Sequence, residues 1–415
     1  MTPPAGGAAS GAKGAGAAPR RIYVTDCEGP LTRNDNAQEI AERFLPDGAE
    51  FFARLSKYDD FLVDVAHKPG YNAGNTLRLI PPFFRAFHVT DDDVELFSAE
   101  QVLIVPKAIE TLDAVRALVP AYIISTSYTP YLRALCELSG FPFGNVRCTD
   151  LSLDAWEMPE DEAEWLREWV PRVCARPLIA YPDEAITAGS GHGSGSGSHE
   201  SGAGAALGVP DSGAPGRVTW TCPDEALAWL SGVDRETVRQ FDQLFWRELP
   251  RRPVSRALAE AVRPVGGGRK LQALEAIVAA EAVDGADVMY VGDSITDTPP
   301  LAAVRAWGGV SLSFNGNAYA LQAAEFAAAS PDTEVQAQLA KAFAAGGRAA
   351  VEAAVRAWPK VQQSRPAGVE AEGPRAPAGP ARARVGLTAE EPEALAAASA
   401  AARLSVRGER IARLG

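Results

Sequence analysis

The sequence predicts an α/β protein, a doubly wound parallel sheet of Rossmann-like type with a helical cap inserted into it. Three features predict this. Short apolar runs, Ile22-Tyr23-Val24 and Val288-Met289-Tyr290-Val291, are β-branched and aromatic and read as buried strands. Strand-like and helix-like segments alternate along much of the chain, as layered α/β folds require. Each of the two runs stops at a carboxylate, in Asp26-Cys27-Glu28-Gly29-Pro30-Leu31-Thr32 and in Gly292-Asp293-Ser294-Ile295-Thr296-Asp297. In an open parallel sheet ligands collect beyond the carboxyl ends of the strands, so acids far apart in sequence would meet in one crevice.

In chain order, residues 1–20 are rich in Ala, Gly and Pro and read as a disordered tail. The core opens with 21–32. The segment 33–105 has helical spacing at Ala37, Ile40, Ala41 and Phe44, then at Phe51, Phe52 and Leu55, broken by Pro69-Gly70 and Pro81-Pro82. It is expected to form the cap. The core resumes over 106–330, with a helix through Ile109, Leu112 and Val115 and a strand Ala121-Tyr122-Ile123-Ile124 closed by Ser125. Thr129-Pro130 then starts a helix that Gly140 stops. Residues 151–263 are a second insertion, whose Trp156, Trp165, Trp169, Trp220, Trp229 and Trp246 suggest packed helices around a flexible Gly/Ser loop at 187–217. A helix through Leu271, Leu274 and Ile277 leads to the strand ending at Asp293, and Pro299-Pro300 opens the next helix. Val310–Phe314 is expected to be the last core strand, with Asn315-Gly316-Asn317 as its turn. Residues 331–415 read as an accessory tail of Ala-rich helices, 333–358 and 388–412, with a flexible Pro/Ala stretch at 362–386.

With 415 residues, 47% of them hydrophobic, the chain can bury a sizeable core. A formal charge of −13 argues against nucleic-acid or anionic-membrane binding, which need a basic face. No run of about 18 apolar residues is present to span a bilayer, and the N-terminal residues lack the apolar core of a signal peptide. The five cysteines are scattered without a CxxC pair, which suggests neither a disulfide framework nor a zinc site and fits a reducing cytoplasm.

Asp26 with Glu28, Ser125, Lys270, and Asp293 with Asp297 form an ordered set that resembles the haloacid dehalogenase (HAD) superfamily of phosphatases. That superfamily carries a nucleophilic Asp with an acid two residues on, a Ser or Thr ending a strand, a Lys, and an acidic pair. The stretch Asp26 to Asp150, with DCEGPLTRNDN, SKYDD, HKPGYNAGNTL and ISTSYTPYLRALC, is similar more narrowly to the HAD-like proteins known as subunit R of energy-converting hydrogenase A.

The resemblance implies that Asp26 attacks phosphorus while Glu28 serves as general acid and base. Mg²⁺ would be held by Asp26, Asp293, Asp297 and the backbone carbonyl of Glu28. Glu28 stands where most members have Asp, although some members similar to phosphoserine phosphatase carry Asp-x-Glu. Ser125 would bind a phosphoryl oxygen, with Thr126 as its rival because the register is open by one. Thr126, Ser127 and Tyr128 stand where glycines are often found. Lys270, after Gly266-Gly267-Gly268-Arg269, would offset charge on Asp26 and the phosphoryl group. Those glycines are not a P-loop, since the spacing and the Ser/Thr after Lys are missing.

Taken singly, each residue has a plainer role: an Asp after a strand as a helix cap, a Ser as a satisfied hydroxyl, a Lys as surface charge. Cys27 is expected to turn into the core, and His67, His88, His192 and His199 are expected to have no metal role. For substrate contact the cap offers Arg54, Lys57, Lys68 and Arg78, and the core offers Asn315.

The expected function is Mg²⁺-dependent hydrolysis of a small phosphorylated metabolite through an aspartyl-phosphate. A phosphotransferase would look the same, whereas a dehalogenase would not need the acidic pair. The competing class is a non-catalytic scaffold or regulatory subunit, with the tails as contacts for a protein partner.

Overall fold

The computed structural model describes residues 20–182, 184–186, 220–358 and 383–412. Among the described residues, seven strands form one sheet in the order β3-β2-β1-β4-β5-β6-β7. They are β1 (Ile22–Thr25), β2 (Ala121–Tyr128), β3 (Val146–Thr149), β4 (Val288–Gly292), β5 (Val310–Phe314), β6 (Phe326–Ala329) and β7 (Arg384–Leu387). All neighbours pair in parallel except β6 and β7, which are antiparallel. The fold is therefore a Rossmann-like α/β fold, with helices on both faces.

Alternation along the central strands builds the two faces. Tyr23, Ile123, Met289, Val291 and Leu312 pack on one side against the helices Ala108–Arg116, Thr129–Ser139 and Glu334–Arg356. Ile22, Val24, Ile124, Val288 and Tyr290 pack on the other against Gly268–Glu281 and Thr298–Ala306. Cys27 joins the first of these clusters, as its place in the alternation predicts. Gly140 ends its helix in the left-handed conformation, at φ +66°.

The two insertions share one hydrophobic body. Phe51, Tyr58, Phe61 and Phe83 from the first lie in a single buried cluster with Trp169, Val238, Phe241 and Phe245 from the second. The Tyr58 hydroxyl donates to Asp242 at 2.5 Å and accepts from Trp246 Nε1 at 2.8 Å, so a polar bond also crosses between them. The tryptophan-rich segment is thus part of the cap. Each fully buried aromatic contributes on the order of 2 to 3 kcal/mol to this shared core.

Three expectations need correction. Strand β2 does not close at Ser125 but runs on to Tyr128, with a register irregularity against β3 between Ile124 and Tyr128. Val310–Phe314 is not the last strand, because β6 and β7 follow it. The segment after 330 is not accessory: Glu334–Arg356 covers a face of the sheet, residues 384–386 of the supposed flexible stretch lie in β7, and the helix Pro392–Ala412 packs beside β6. The expected flexible segments 1–19 and 187–217, with His192 and His199, and residues 362–382 lie outside the described residues. Among the described residues no helix is long and apolar enough to cross a membrane.

Candidate functional site

β1 and β4 lie side by side in parallel, with Thr25 opposite Val291, so the residues just past them emerge at the same edge. Asp26 leaves β1 with its amide bonded to the Val291 carbonyl at 2.9 Å. Its Oδ1 accepts from the Cys27 amide at 2.6 Å. Lys270, on the first turn of the helix Gly268–Glu281 and fully buried, donates to Asp26 Oδ2 at 2.6 Å and to Asp297 Oδ1 at 2.8 Å. Residues 244 apart in sequence are thereby joined by a buried ion pair.

Asp297 is held from several sides. Oδ1 also accepts from the Tyr290 hydroxyl at 2.8 Å, and Oδ2 accepts from the amides of Asp293 and Ser294 at 3.1 and 3.2 Å. Both oxygens are therefore engaged, and Asp297 fixes the turn that carries Asp293. Carboxylate oxygens of Asp26, Asp293 and Asp297 lie within 4.8 Å of one another, a hard-oxygen donor set of the kind Mg²⁺ takes. Because Asp297 already spends its lone pairs on donors, Asp26 and Asp293 are the better placed ligands of the three.

Burial pushes the Asp26 carboxyl well above the ordinary range, and the Asp297 charge adds to this while Lys270 opposes it. Burial acts the same way on Asp297, but Lys270, Tyr290 and the Asp293 amide outweigh it and hold that carboxyl low. On Lys270 the two carboxylates overcome burial and keep the ammonium charged. Glu28, whose Oε1 accepts from the Asn36 amide at 2.7 Å, is raised to about 8 by burial and then by the Asp35 charge.

Asp26, Glu28 and Asp293 open on a cleft of about 120 Å³ between core and cap, with Lys270 and Asp297 behind them. Asp26, Glu28, Thr126, Ser127, Asp293 and Ser294 line it from the core, and Phe52, Ser56, Asp59, Asp60, Gly74 and Leu77 from the cap. Glycines let the two bodies touch. A Cβ on Gly266 would overlap the Ala73 carbonyl of the cap, and one on Gly74, at φ +87°, would press on Thr126 of the core. The Tyr319 hydroxyl also reaches Asp64 of the cap at 2.5 Å.

The structure brings Asp26, Glu28, Lys270, Asp293 and Asp297 together. Ser125 is buried behind them, bonded to Ser127, and does not line the cleft; Thr126 and Ser127 do. Thr126 donates to the Val265 carbonyl at 3.2 Å.

The candidates for substrate contact lie elsewhere. Arg54 pairs with Glu50 and the Arg176 carbonyl, Lys57 with Asp60, and Lys68 stacks between Trp220 and Trp246, 4.4 and 4.3 Å from their ring centres. Arg78 does not line the cleft. Asn315 ties β5 to β6 through both bonds of its amide to the Ser330 backbone.

Two residues that the sequence did not single out belong to the site. Arg403 and Arg407, on the helix Pro392–Ala412, both reach Asp293 Oδ2, Arg407 at 3.1 Å. Arg403 also donates to the Asp293 carbonyl at 3.3 Å, and Arg407 to the carbonyls of Arg33 and Asn34 at 3.3 and 2.6 Å. A signal was available, since Leu395, Ser399, Arg403 and Arg407 recur every four residues, which sets them on one helical stripe.

Fold and site together define a Rossmann-like α/β protein with a helical cap over a buried carboxylate–lysine centre. The chain is similar to gene product AF1437 from Archaeoglobus fulgidus, with a TM-score of 0.71 and 25% identity over 95% of this chain and 99% of that one. No family model matches the sequence, and no curated protein matches it significantly.

Proposed function

We propose that this chain is a phosphomonoesterase of the haloacid dehalogenase type, acting with Mg²⁺ on a small phosphorylated metabolite. The observation that carries the proposal is the fully buried Lys270 bridging Asp26 and Asp297 beside Asp293, at a sheet edge open to a cleft. A helix-capping acid has no need of such an arrangement, because a buried carboxylate costs several kcal/mol unless its charge is used or matched.

In this reading an Asp26 oxygen attacks phosphorus. The bond from phosphorus to the leaving oxygen breaks, its electron pair stays on that oxygen, and Glu28 supplies the proton. Burial, which raises Glu28, suits it to carry that proton near neutrality. Glu28, now a carboxylate, takes a proton from water whose oxygen attacks the phosphorus of the aspartyl-phosphate. The bond to Asp26 breaks, which restores the carboxylate and frees inorganic phosphate. Lys270 balances the charge of Asp26 throughout. Asp26, Asp293 and the Glu28 backbone carbonyl would hold the metal, with Asp297 orienting Asp293, and the bound cation would supply the positive charge that lets a dianion approach an anionic nucleophile. Transfer to an acceptor other than water would use the same residues.

One observation favours a non-catalytic scaffold instead: Arg403 and Arg407 already neutralise Asp293. Assaying small phosphomonoesters with the full chain separates the two. Phosphate release with Mg²⁺ and none with EDTA is expected, and no turnover with any divalent metal would leave the scaffold.

A further inference from the structure

The cleft is a hostile place for an anion. Asp26, Glu28, Asp35, Asp59, Asp60 and Asp293 all line it, and Lys270 does not. Among the described lining residues the cations are Arg403 and Arg407 alone, both delivered by the C-terminal helix. Their side chains are 7% and 6% exposed. Arg403 also keeps a buried Nε donor without an acceptor.

Both guanidiniums converge on one oxygen, Asp293 Oδ2. That oxygen belongs to a carboxylate placed to hold a metal, so a cation there would compete for the contact and free Nη1 of Arg407, whose Nε and Nη2 stay on the Arg33 and Asn34 carbonyls, together with the Arg403 contact to Oδ2. A phosphoryl group offers several anionic oxygens in the geometry that guanidinium forks bind best.

Resting on the phosphohydrolase reading, we propose that Arg403 and Arg407 are the anion-recognition pair of this cleft. They bind the phosphoryl oxygens of the substrate, and of product phosphate, once Asp293 engages the metal. The C-terminal helix is then a substrate-binding element, and affinity for the anion depends on it while affinity for the metal does not.

Calorimetric titration of the full-length protein with inorganic phosphate, in the presence of Mg²⁺, tests this without turnover. R403A and R407A should each raise the phosphate Kd by about ten- to a hundredfold, the loss expected for a charge-assisted hydrogen bond. Their Mg²⁺ Kd should be unchanged or lower, because a positive charge beside Asp293 has gone. R403K and R407K, which keep charge but lose the fork, should fall between. A phosphate Kd equal to wild type in folded alanine variants would overturn the proposal. So would equal losses of phosphate and Mg²⁺ affinity, which mark a structural clamp.

A second measurement needs no variant: phosphate with Mg²⁺ should slow amide exchange in residues 400–408 of the wild-type chain. Bound phosphate that leaves this segment unaffected would overturn the proposal even if the alanine variants do not fold. Phosphoester turnover by a wild-type chain whose arginine variants bind phosphate normally would sink this inference and leave the hydrolase reading standing. A wild-type chain that neither binds phosphate nor hydrolyses an ester would end both.

Discussion

Gly29 lies directly against the carboxylate of Asp293, so closely that a Cβ at position 29 would overlap it. The contact joins the turn after β1 to the turn after β4, and the backbone at Gly29 has φ +96°, a conformation that other L-residues rarely adopt. Gly29→Ala should therefore push Asp293 away from Asp26 and add about 1 to 2 kcal/mol of backbone strain. The expected outcome is a Mg²⁺ Kd at least about tenfold weaker, by the usual free-energy scale, with a small fall in thermal midpoint. An unchanged metal titration would mean that Asp293 does not hold the cation.

Lys270 is the hinge of the charge arrangement. Lys270→Met would leave Asp26 and Asp297 buried without their ammonium, and breaking a buried pair typically costs about 3 to 5 kcal/mol. Thermal unfolding should show a midpoint lower by several degrees, together with loss of turnover. A midpoint equal to wild type would show that the bridge contributes nothing to the fold.

The cap carries a pH signature. Asp59, buried and bonded to the Gly74 amide at 2.8 Å, is raised to about 8, by burial first and then by Asp60 among the charges that oppose its ionisation. The folded state thus holds a proton that the unfolded state releases near pH 4, so this group's contribution to stability falls as pH rises from about 4 to about 8 and then levels off. Asp59→Asn keeps an acceptor for Gly74 and removes the titration. Its thermal midpoint should decline less steeply than wild type across that window, and parallel curves would contradict the assignment.

The parts legible in the sequence were those with local signatures. β1 and β4 could be read because β-branched and aromatic runs stop at acids, and Lys270 because glycines precede it on an apolar helix. Phe326-Ala327-Ala328-Ala329 was missed as a strand because alanine favours helix, and only pairing between β5 and β7 makes it extended. The apolar run ends at Ile124, which places Ser125 at the cleft in the sequence reading, whereas the strand runs on to Tyr128 through a register irregularity and Thr126 and Ser127 line the cleft. Arg403 and Arg407 share a helical stripe with Leu395 and Ser399, but a stripe in sequence does not say which residue it faces. Their partner, Asp293, is 110 and 114 residues away.

Glu28 and Asp26 should fail differently if they share one reaction. Glu28→Gln should bind Mg²⁺ as wild type does yet hydrolyse the aspartyl-phosphate slowly, so a phosphoenzyme should accumulate from an activated ester. General acid–base groups contribute about 10² to 10⁴ in rate, and full turnover in this variant would remove Glu28 from the mechanism.

The most direct test of the account is the Mg²⁺-dependent release of phosphate from small phosphomonoesters, measured side by side for wild type and Asp26→Asn. Asn fits the same space but is too poor a nucleophile to form the acyl-phosphate. The account predicts turnover by wild type that EDTA abolishes, and none by the folded variant. Equal turnover by the two proteins, or none by wild type with any divalent cation, would contradict it.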